Sequence, residues 1–318
     1  MHAIAFLFPG QGAQYPGMGK SFFDSFALAR QTVEEAEELL KRSLLPLIIN
    51  GSVQELSQTR NAQIAIYVVS IAVEKVLRQL FPSIQPAVYA GFSLGEYSAV
   101  TSAGYLSFDA GLCLVHRRSE LMSEACERYP GGMAVVLGLE AEAVEKLVSD
   151  LNLPSDLWTA NFNCPGQVAI SGTMRGINAA VVAAKGHGAK RVVPLQVQGA
   201  FHSGLMRHAE EQFEPYIRQT AFTPKDTPLV MNASGAYVTD HKQLSDLLVQ
   251  QVTAPVRWEQ GVRAMVARGV QLFVEIGCGN VLTGFNKRIA PTAMSISIDK
   301  PEDVAQLERA LQTHHGSK

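Results

Sequence analysis

The chain has 318 residues, 47% of them hydrophobic and 18% charged, which is enough for one large domain or for one domain carrying a smaller insertion. Its formal net charge of −2 argues against the basic field that nucleic acid or an anionic membrane requires. The four cysteines are scattered without a C-x-x-C pair, which argues against a zinc site or a disulfide framework and is typical of a reducing cytoplasm.

Short β-type segments alternate with helical stretches in the first part of the chain. Residues 4–8 and 87–90 are predicted strands, and residues 31–42 and 62–80 are predicted helices. This alternation indicates an α/β protein with a mainly parallel sheet. The longest apolar run, residues 64–73, is too short to span a bilayer. We therefore expect a cytoplasmic protein with no membrane and no nucleic-acid partner.

Residues 131–197 follow a different order. Strands and helices are predicted there as β-α-β-β-α-β, with the last strand at 191–197, which is the order of the split βαβ or ferredoxin-like unit. After His202 the α/β alternation returns. The sequence therefore predicts a catalytic core formed by residues 1–130 and 198–318, with a ferredoxin-like subdomain inserted between them.

The stretch AGFSLGEYSA, residues 90–99, places Ser93 between two glycines at a predicted strand-to-helix corner. A sharp turn of this kind leaves room only for glycine on either side of the serine. It exposes the serine Oγ and places the N–H of Leu94 and the helix N-terminus where an oxyanion would form. The G-x-S-x-G pattern also arises by chance, but its strand-turn-helix setting favours a nucleophile.

A serine nucleophile needs a base, and His202 is the favoured candidate among eight histidines. It follows a predicted strand and directly precedes a helix, and catalytic groups collect at such strand ends in α/β folds. No acidic residue between Ser93 and His202 follows a convincing strand. A dyad oriented by a backbone carbonyl is therefore considered beside a complete triad, and a standard α/β-hydrolase is weakly disfavoured.

Several segments carry a resemblance to a known family: FPGQGAQYPGMG, GFSLGEYSA, VHRRSELMSEA, NFNCPGQVAISG and GAFHSGLM. In this order they resemble the malonyl-CoA:acyl carrier protein transacylases of fatty acid synthesis and the stand-alone, trans-acting acyltransferases of polyketide synthesis. The likeness continues through VTAPVRW and VEIGCGNVLTG and covers nearly the whole chain. It implies an α/β-hydrolase-like core with a ferredoxin-like insertion, in agreement with the pattern above.

The resemblance implies catalytic roles for matching residues. Ser93 matches the nucleophile that takes the acyl group from coenzyme A, and His202 matches the base. Gln11 matches a residue whose backbone N–H forms the oxyanion hole together with that of Leu94. Gln251 matches a glutamine whose main-chain carbonyl orients the histidine.

Three further residues bear on acyl specificity. Arg118 matches the arginine that holds the malonyl carboxylate, and a guanidinium grips carboxylates bidentately, although an isolated arginine is by default a solvated helix-face charge. Phe92 stands where the family usually has histidine, so a polar contact is lost and the exact acyl specificity stays open. Phe201 resembles the signature of malonyl-selective enzymes, since its ring would fill the space of an α-methyl branch, a discrimination worth about 1–3 kcal/mol.

The expected function is ping-pong transfer of a malonyl group from malonyl-CoA to the phosphopantetheine thiol of a holo acyl carrier protein, with no metal or organic cofactor. The carrier protein would belong to fatty acid or to polyketide synthesis, and the family precedent is a monomer. Lys185, Lys190 and Arg191 would assist docking of an acidic carrier protein, or form an ordinary solvated cluster. The alternatives are a hydrolase that clears acyl groups from carrier proteins and a catalytically silent scaffold.

Overall fold

The computed structural model describes residues 3–238 and 240–315, which form two β-sheets covered by helices. The strands are β1 (Ala3–Phe8), β2 (Val88–Gly91), β3 (Gly132–Leu137), β4 (Leu157–Cys164), β5 (Gln167–Gly172), β6 (Arg191–Pro194), β7 (Leu229–Met231), β8 (Ala236–Val238), β9 (Val270–Ile276) and β10 (Met294–Ile298). The helices are α1 (Lys20–Ser25), α2 (Ala27–Leu40), α3 (Leu45–Asn50), α4 (Val53–Ser57), α5 (Thr59–Leu80), α6 (Gly95–Ser102), α7 (Phe108–Arg128), α8 (Ala141–Asp150), α9 (Met174–Ala184), α10 (Arg207–Gln219), α11 (His241–Gln250), α12 (Trp258–Ala267), α13 (Val281–Ile289) and α14 (Val304–His315).

The larger sheet has the strand order β10-β9-β1-β2-β7-β8. Its strands are parallel except for β8, which returns antiparallel beside β7, so the predicted mainly parallel α/β sheet is confirmed. The buried strand β1 lies at the centre, and its last residue, Phe8, pairs with Gly91 at the end of β2. The loops that leave these two strands therefore begin side by side at one edge of the sheet.

The smaller sheet has the order β4-β5-β3-β6, and all of its strand pairs are antiparallel. With α8 and α9, these strands follow one another as β-α-β-β-α-β, the predicted order. β6 ends at Pro194, earlier than the predicted strand at 191–197. The division of the chain at residues 131 and 197 stays a prediction.

A main-chain contact ties the smaller sheet to the segment that follows α11. The N–H of Phe162 in β4 donates to the carbonyl of Val256 at 2.8 Å, and the N–H of Val256 donates to the carbonyl of Ala160 at 2.8 Å. The segment that follows α11 is thus joined to β4 at Val256 by the two main-chain hydrogen bonds of an isolated parallel bridge.

Two long helices, α5 and α7, pack against each other beside the larger sheet. Residues of α5 are buried along nearly its whole length, which explains the long apolar run at 64–73. The sequence patterns did not delimit α7, which begins where Ser107 accepts a hydrogen bond from the N–H of Ala110 at 3.1 Å. No helix in the described part of the chain combines the length and apolarity needed to cross a bilayer.

The turn between β2 and α6 packs directly on the end of β1. A Cβ atom at Gly95 would lie 2.1 Å from the carbonyl oxygen of Phe8 and 2.7 Å from that of Pro9. Both obstacles are backbone atoms of the central strand and its loop, so they cannot move aside without disturbing the sheet. Glycine at this position is therefore a packing requirement of the fold.

We expect Gly95→Ala to lower the free energy of unfolding by about 2 kcal/mol or more, because the added methyl meets backbone. Gly284→Ala is the matched control: this exposed glycine lies inside α13, with nothing within 4 Å of its Cβ position. There alanine should raise the free energy of unfolding by roughly 0.5–1 kcal/mol. Urea denaturation measures both changes. Wild-type stability for Gly95→Ala would contradict the packing argument.

Candidate active site

Ser93 occupies the corner between β2 and α6 with a φ angle of 50°, in the left-handed region. This conformation is strained for a residue with a side chain and turns the chain sharply from strand into helix. Gly91, on the other side of the serine, has no room for a Cβ atom, which would lie 1.9 Å from the carbonyl oxygen of Gly95. The structure thus places the G-x-S-x-G segment in the strand-turn-helix setting that the sequence predicted.

His202 lies against this serine. Its Nε2 is 2.8 Å from the Oγ of Ser93, and its Nδ1 donates to the main-chain carbonyls of Gln251 at 2.9 Å and Ala254 at 3.1 Å. No carboxylate contacts the ring within residues 3–238 and 240–315. The geometry is that of a Ser-His dyad oriented by backbone carbonyls, with Nδ1 protonated and Nε2 free to accept a proton.

The electrostatic surroundings keep this imidazole neutral. The ring is 3% exposed, and burial lowers the pKa of His202 to about 4, with the positive charge of Arg118 acting in the same direction. The carbonyls of Gln251 and Ala254 raise the pKa by a smaller amount. A neutral imidazole is the form that accepts a proton from a serine hydroxyl.

Arg118 lies inside α7 and is 1% exposed. Its Nη2 donates to Ser93 Oγ at 3.2 Å and to Gln251 Oε1 at 2.9 Å, and its Nη1 donates to Gln63 Oε1 at 2.7 Å. All of these acceptors are neutral, so the guanidinium has no carboxylate partner among the described residues. Its neighbour Arg117 has a side chain that is 32% exposed and forms an ion pair with Glu120.

Two polar residues that the sequence analysis did not single out, Asn232 and Glu96, form hydrogen bonds that stabilise the turn at Ser93. Asn232, which directly follows β7, accepts the N–H of Ser93 at 2.7 Å and donates to the carbonyl of Gly91 at 2.7 Å. The buried Glu96 accepts the N–H of Asn232 at 2.5 Å and the side-chain amide of Gln251 at 2.9 Å. Glu96 is part of the GFSLGEYSA segment, but nothing in that pattern indicates that its carboxylate is buried.

Two backbone N–H groups near Ser93 remain without a partner in the part of the chain that the structure describes, those of Leu94 and Gln11. The N–H of Ser93 itself is occupied by Asn232. The loop carrying Gln11 runs close to the serine turn, since a Cβ atom at Gly10 would lie 2.3 Å from the carbonyl oxygen of Phe92. Free N–H groups beside a nucleophile are the arrangement that an oxyanion hole needs.

The site opens into a cavity of about 330 Å³ between the two sheets, and its lining includes Ser93, His202, Arg118, Phe92, Phe201 and Gln11. The smaller sheet supplies the opposite wall, with Met133 and Asn161 among its residues. The structure therefore brings the predicted site residues together at one cavity, with Leu94 and Gln251 directly behind it. No group of three His, Cys, Asp or Glu side chains in the described ranges is arranged to hold a metal ion.

Phe92 belongs to an aromatic cluster at the edge of this cavity. Its ring centroid lies 5.8 Å from that of Trp258, in an edge-to-face arrangement, and 6.0 Å from that of Phe285. Phe92 thus packs against aromatic residues of α12 and α13 and offers no hydrogen-bonding group to the cavity.

Comparison with known proteins identifies the family of this chain. Residues 5–295 match the family model described as "Acyl transferase domain". The chain is 40% identical over 314 residues to the malonyl CoA-acyl carrier protein transacylase of Bacillus subtilis, covering 98% of each chain.

Solved structures agree. The acyl carrier protein S-malonyltransferase of Vibrio cholerae superimposes with a TM-score of 0.91 at 37% identity, covering 96% of this chain and 99% of the other. A malonyl-transacylase in complex with its type II PKS acyl-carrier protein superimposes with a TM-score of 0.92 at 34% identity and the same coverage. The chain therefore belongs to the acyl transferase family, among the malonyl CoA-acyl carrier protein transacylases.

Proposed function

We propose that the protein transfers a malonyl group from malonyl-CoA to the phosphopantetheine thiol of an acyl carrier protein through an acyl-enzyme on Ser93. One observation carries this proposal. The Ser93 hydroxyl lies 2.8 Å from a buried, neutral histidine and 3.2 Å from a buried guanidinium that has only neutral partners. A nucleophile, a base and a carboxylate receptor thus meet within the reach of a three-carbon acyl group.

The first half-reaction acylates the enzyme. Ser93 Oγ attacks the thioester carbonyl carbon while its proton passes to His202 Nε2, and the N–H groups of Gln11 and Leu94 stabilise the oxyanion. The tetrahedral intermediate collapses, the carbon–sulfur bond breaks, and His202 returns the proton to the departing thiolate. The carbonyls of Gln251 and Ala254 hold the imidazolium while it exists.

The second half-reaction reverses these roles for a different thiol. The phosphopantetheine thiol gives its proton to His202 Nε2, and the thiolate attacks the malonyl-serine ester. The oxyanion forms again at the same two N–H groups, and the proton returns to Ser93 Oγ. The product is a malonyl thioester on the carrier protein, and the serine is free for another cycle.

Arg118 supplies the preference for a malonyl group in this proposal. A carboxylate suits a buried guanidinium, because it offers both an opposite charge and two acceptor oxygens. Phe201, which is buried at the same cavity, would exclude an α-methyl branch. Phe92 contributes no polar contact, so recognition of the acyl carboxylate rests on Arg118.

The names of the relatives support an acyl carrier protein as acceptor, and one of them is a complex with a carrier protein of polyketide synthesis. We therefore propose an acyl carrier protein as the acceptor and do not assign that carrier to fatty acid or to polyketide synthesis. A cytoplasmic, monomeric enzyme, with a ferredoxin-like subdomain at 131–197, remains our prediction.

Intact mass after brief exposure to malonyl-CoA should reveal one malonyl adduct on the wild-type protein and none on Ser93→Ala, because the ester oxygen is gone. His202→Ala should slow acylation by roughly 10²–10⁴-fold, the usual contribution of a positioned base. Addition of a holo carrier protein should transfer the adduct to its thiol. Release of free malonate in place of malonyl-carrier would establish the hydrolase, and an unmodified wild-type protein would contradict the proposal.

The rate of acylation should depend on pH through His202. The base acts in its neutral form, so acylation should be constant near neutral pH and fall only as the pH drops toward its folded pKa of about 4. Quench-flow acylation with malonyl-CoA and with acetyl-CoA, which has no carboxylate to titrate, separates the histidine from the substrate. Circular dichroism at each pH controls for unfolding. A midpoint near the ordinary histidine value, about 6.5, would contradict the assigned environment.

Arg118→Ala should lower kcat/KM for acylation by malonyl-CoA by about 10²-fold, since a buried carboxylate would lose its charged partner. Acylation by acetyl-CoA should change far less, so the preference for malonyl should fall. The matched control is Arg117→Ala, which removes a partly exposed arginine from the same helix and should leave the preference unchanged. An unaltered malonyl preference in Arg118→Ala would refute the carboxylate assignment.

A further inference from the structure

The buried carboxyl group of Glu96 is separated from the site by Asn232 and Gln251 and takes no part in the mechanism above. It is fully buried on the first turn of α6. One oxygen accepts the main-chain N–H of Asn232 at 2.5 Å, and the other accepts the Nε2 group of Gln251 at 2.9 Å. Through these two residues the Glu96 carboxyl group is connected to the serine turn, His202 and Arg118, although it hydrogen bonds directly to none of them.

The contacts of Gln251 determine which way its amide points. Its Nε2 donates to Glu96 and to the main-chain carbonyl of Ser93 at 2.7 Å, so both amide hydrogens have acceptors. The amide oxygen must then face the other way, where it accepts from Arg118 Nη2 at 2.9 Å. A flipped amide would set a donor against the guanidinium and an oxygen against the carboxylate, which is unfavourable at both ends.

The same contacts hold the Gln251 amide in its observed orientation. Burial raises the pKa of Glu96 to about 8, although the N–H donors and the charge of Arg118 act in the opposite direction. Both carboxyl oxygens accept N–H hydrogen bonds, one from Asn232 and the other from Gln251. The carboxyl group therefore lies one amide away from the buried guanidinium, and Gln251 connects the two.

This spacing solves a conflict at Arg118. A buried guanidinium without hydrogen-bond acceptors is costly, but a carboxylate bound directly to it would occupy the group that a substrate carboxylate needs. We propose that Glu96 is the positioning residue of the carboxylate site: by holding the Gln251 amide it orients Arg118 while leaving the guanidinium free for the acyl carboxylate. The inference rests on the proposed malonyl transfer and deepens it.

Glu96→Gln is the first test, because it keeps the shape of the side chain and replaces one acceptor oxygen with a donor. The ratio of kcat/KM for malonyl-CoA to that for acetyl-CoA acylation should fall by about tenfold or more, since Gln251 loses its fixed orientation. A loss of general stability would lower both rates together and leave the ratio unchanged. A wild-type ratio in Glu96→Gln would overturn the inference.

The exchange variant, Glu96→Gln combined with Gln251→Glu, is the second test and decides the matter if Glu96→Gln does not fold. It retains one carboxylate and one amide but places the carboxylate directly on Arg118. We expect a folded protein whose KM for malonyl-CoA rises by roughly 10²-fold while acetyl-CoA acylation changes less, because the arginine is already neutralised. A wild-type ratio in the exchange variant would show that the positions of the carboxylate and the amide do not matter, and it would overturn the inference.

Glu275→Gln is the matched control. Glu275 is also buried and also accepts two N–H groups, those of Leu282 and Thr283, but it has no contact with Gln251 or Arg118. Its replacement should reduce stability and leave the malonyl-to-acetyl ratio at the wild-type value. A wild-type protein that forms no malonyl adduct would overturn the proposed function itself, whereas an adduct with an unchanged ratio in Glu96→Gln overturns only the role of Glu96.

Discussion

The cost of burying the positive charge of Arg118 beside the serine shapes the rest of this site. A guanidinium taken out of water needs hydrogen-bond acceptors on every accessible N–H, yet one that binds a substrate carboxylate must not be neutralised by a permanent ion pair. Neutral amide oxygens from Gln63 and Gln251, together with the Ser93 hydroxyl, meet the first demand at the two Nη atoms, while Nε has no hydrogen-bond partner among the described residues. Placing the nearest carboxylate, that of Glu96, behind Gln251 meets the second.

The same charge explains why the base is oriented by carbonyls rather than by an acid. Burial and Arg118 together keep His202 neutral, which is the form that the proposed mechanism requires at the start of each half-reaction. A carboxylate on Nδ1 would raise the pKa of the imidazole and would also lie close enough to attract the guanidinium. Two main-chain carbonyls hold the ring in one tautomer with partial charges only. The Ser-His dyad and the proposed carboxylate receptor, Arg118, can therefore lie side by side in one small cavity.

The fold brings these groups together from distant parts of the chain. The parallel sheet places the loops after β1 and β2 side by side, which supplies the serine turn and the free N–H groups. The segment after α11 contributes the carbonyls for His202 and is pinned by its main-chain bonds to β4. The smaller sheet thereby has two roles, since it closes the cavity and steadies the segment that orients the base.

Local sequence patterns predicted much of the fold and part of the candidate site. Glycines flanking Ser93 can be read from the sequence because a sharp turn excludes side chains, and the β-α-β-β-α-β order of the smaller sheet follows from alternating periodicities. The short β6 and the unforeseen start of α7 were decided by packing and by a cap, which patterns specify poorly. For Arg118, the sequence by itself supported only a resemblance, because Arg117 and Arg118 have the same intrinsic chemistry.

Which of the two arginines is buried depends on the rotation of α7 against α5 and α6, and that rotation is a property of the packed molecule. Glu96 and Asn232 likewise became site residues only because tertiary packing placed them behind the serine turn. The sequence by itself thus determined the serine turn and the fold class, since these depend on short-range sterics and periodicity. His202 was chosen as the end of a strand at 191–197, but β6 ends at Pro194, and the contact of His202 with Ser93 comes from the loop that follows. Only the tertiary structure decided which charges are buried and which groups contact them, because desolvation depends on everything packed around a group.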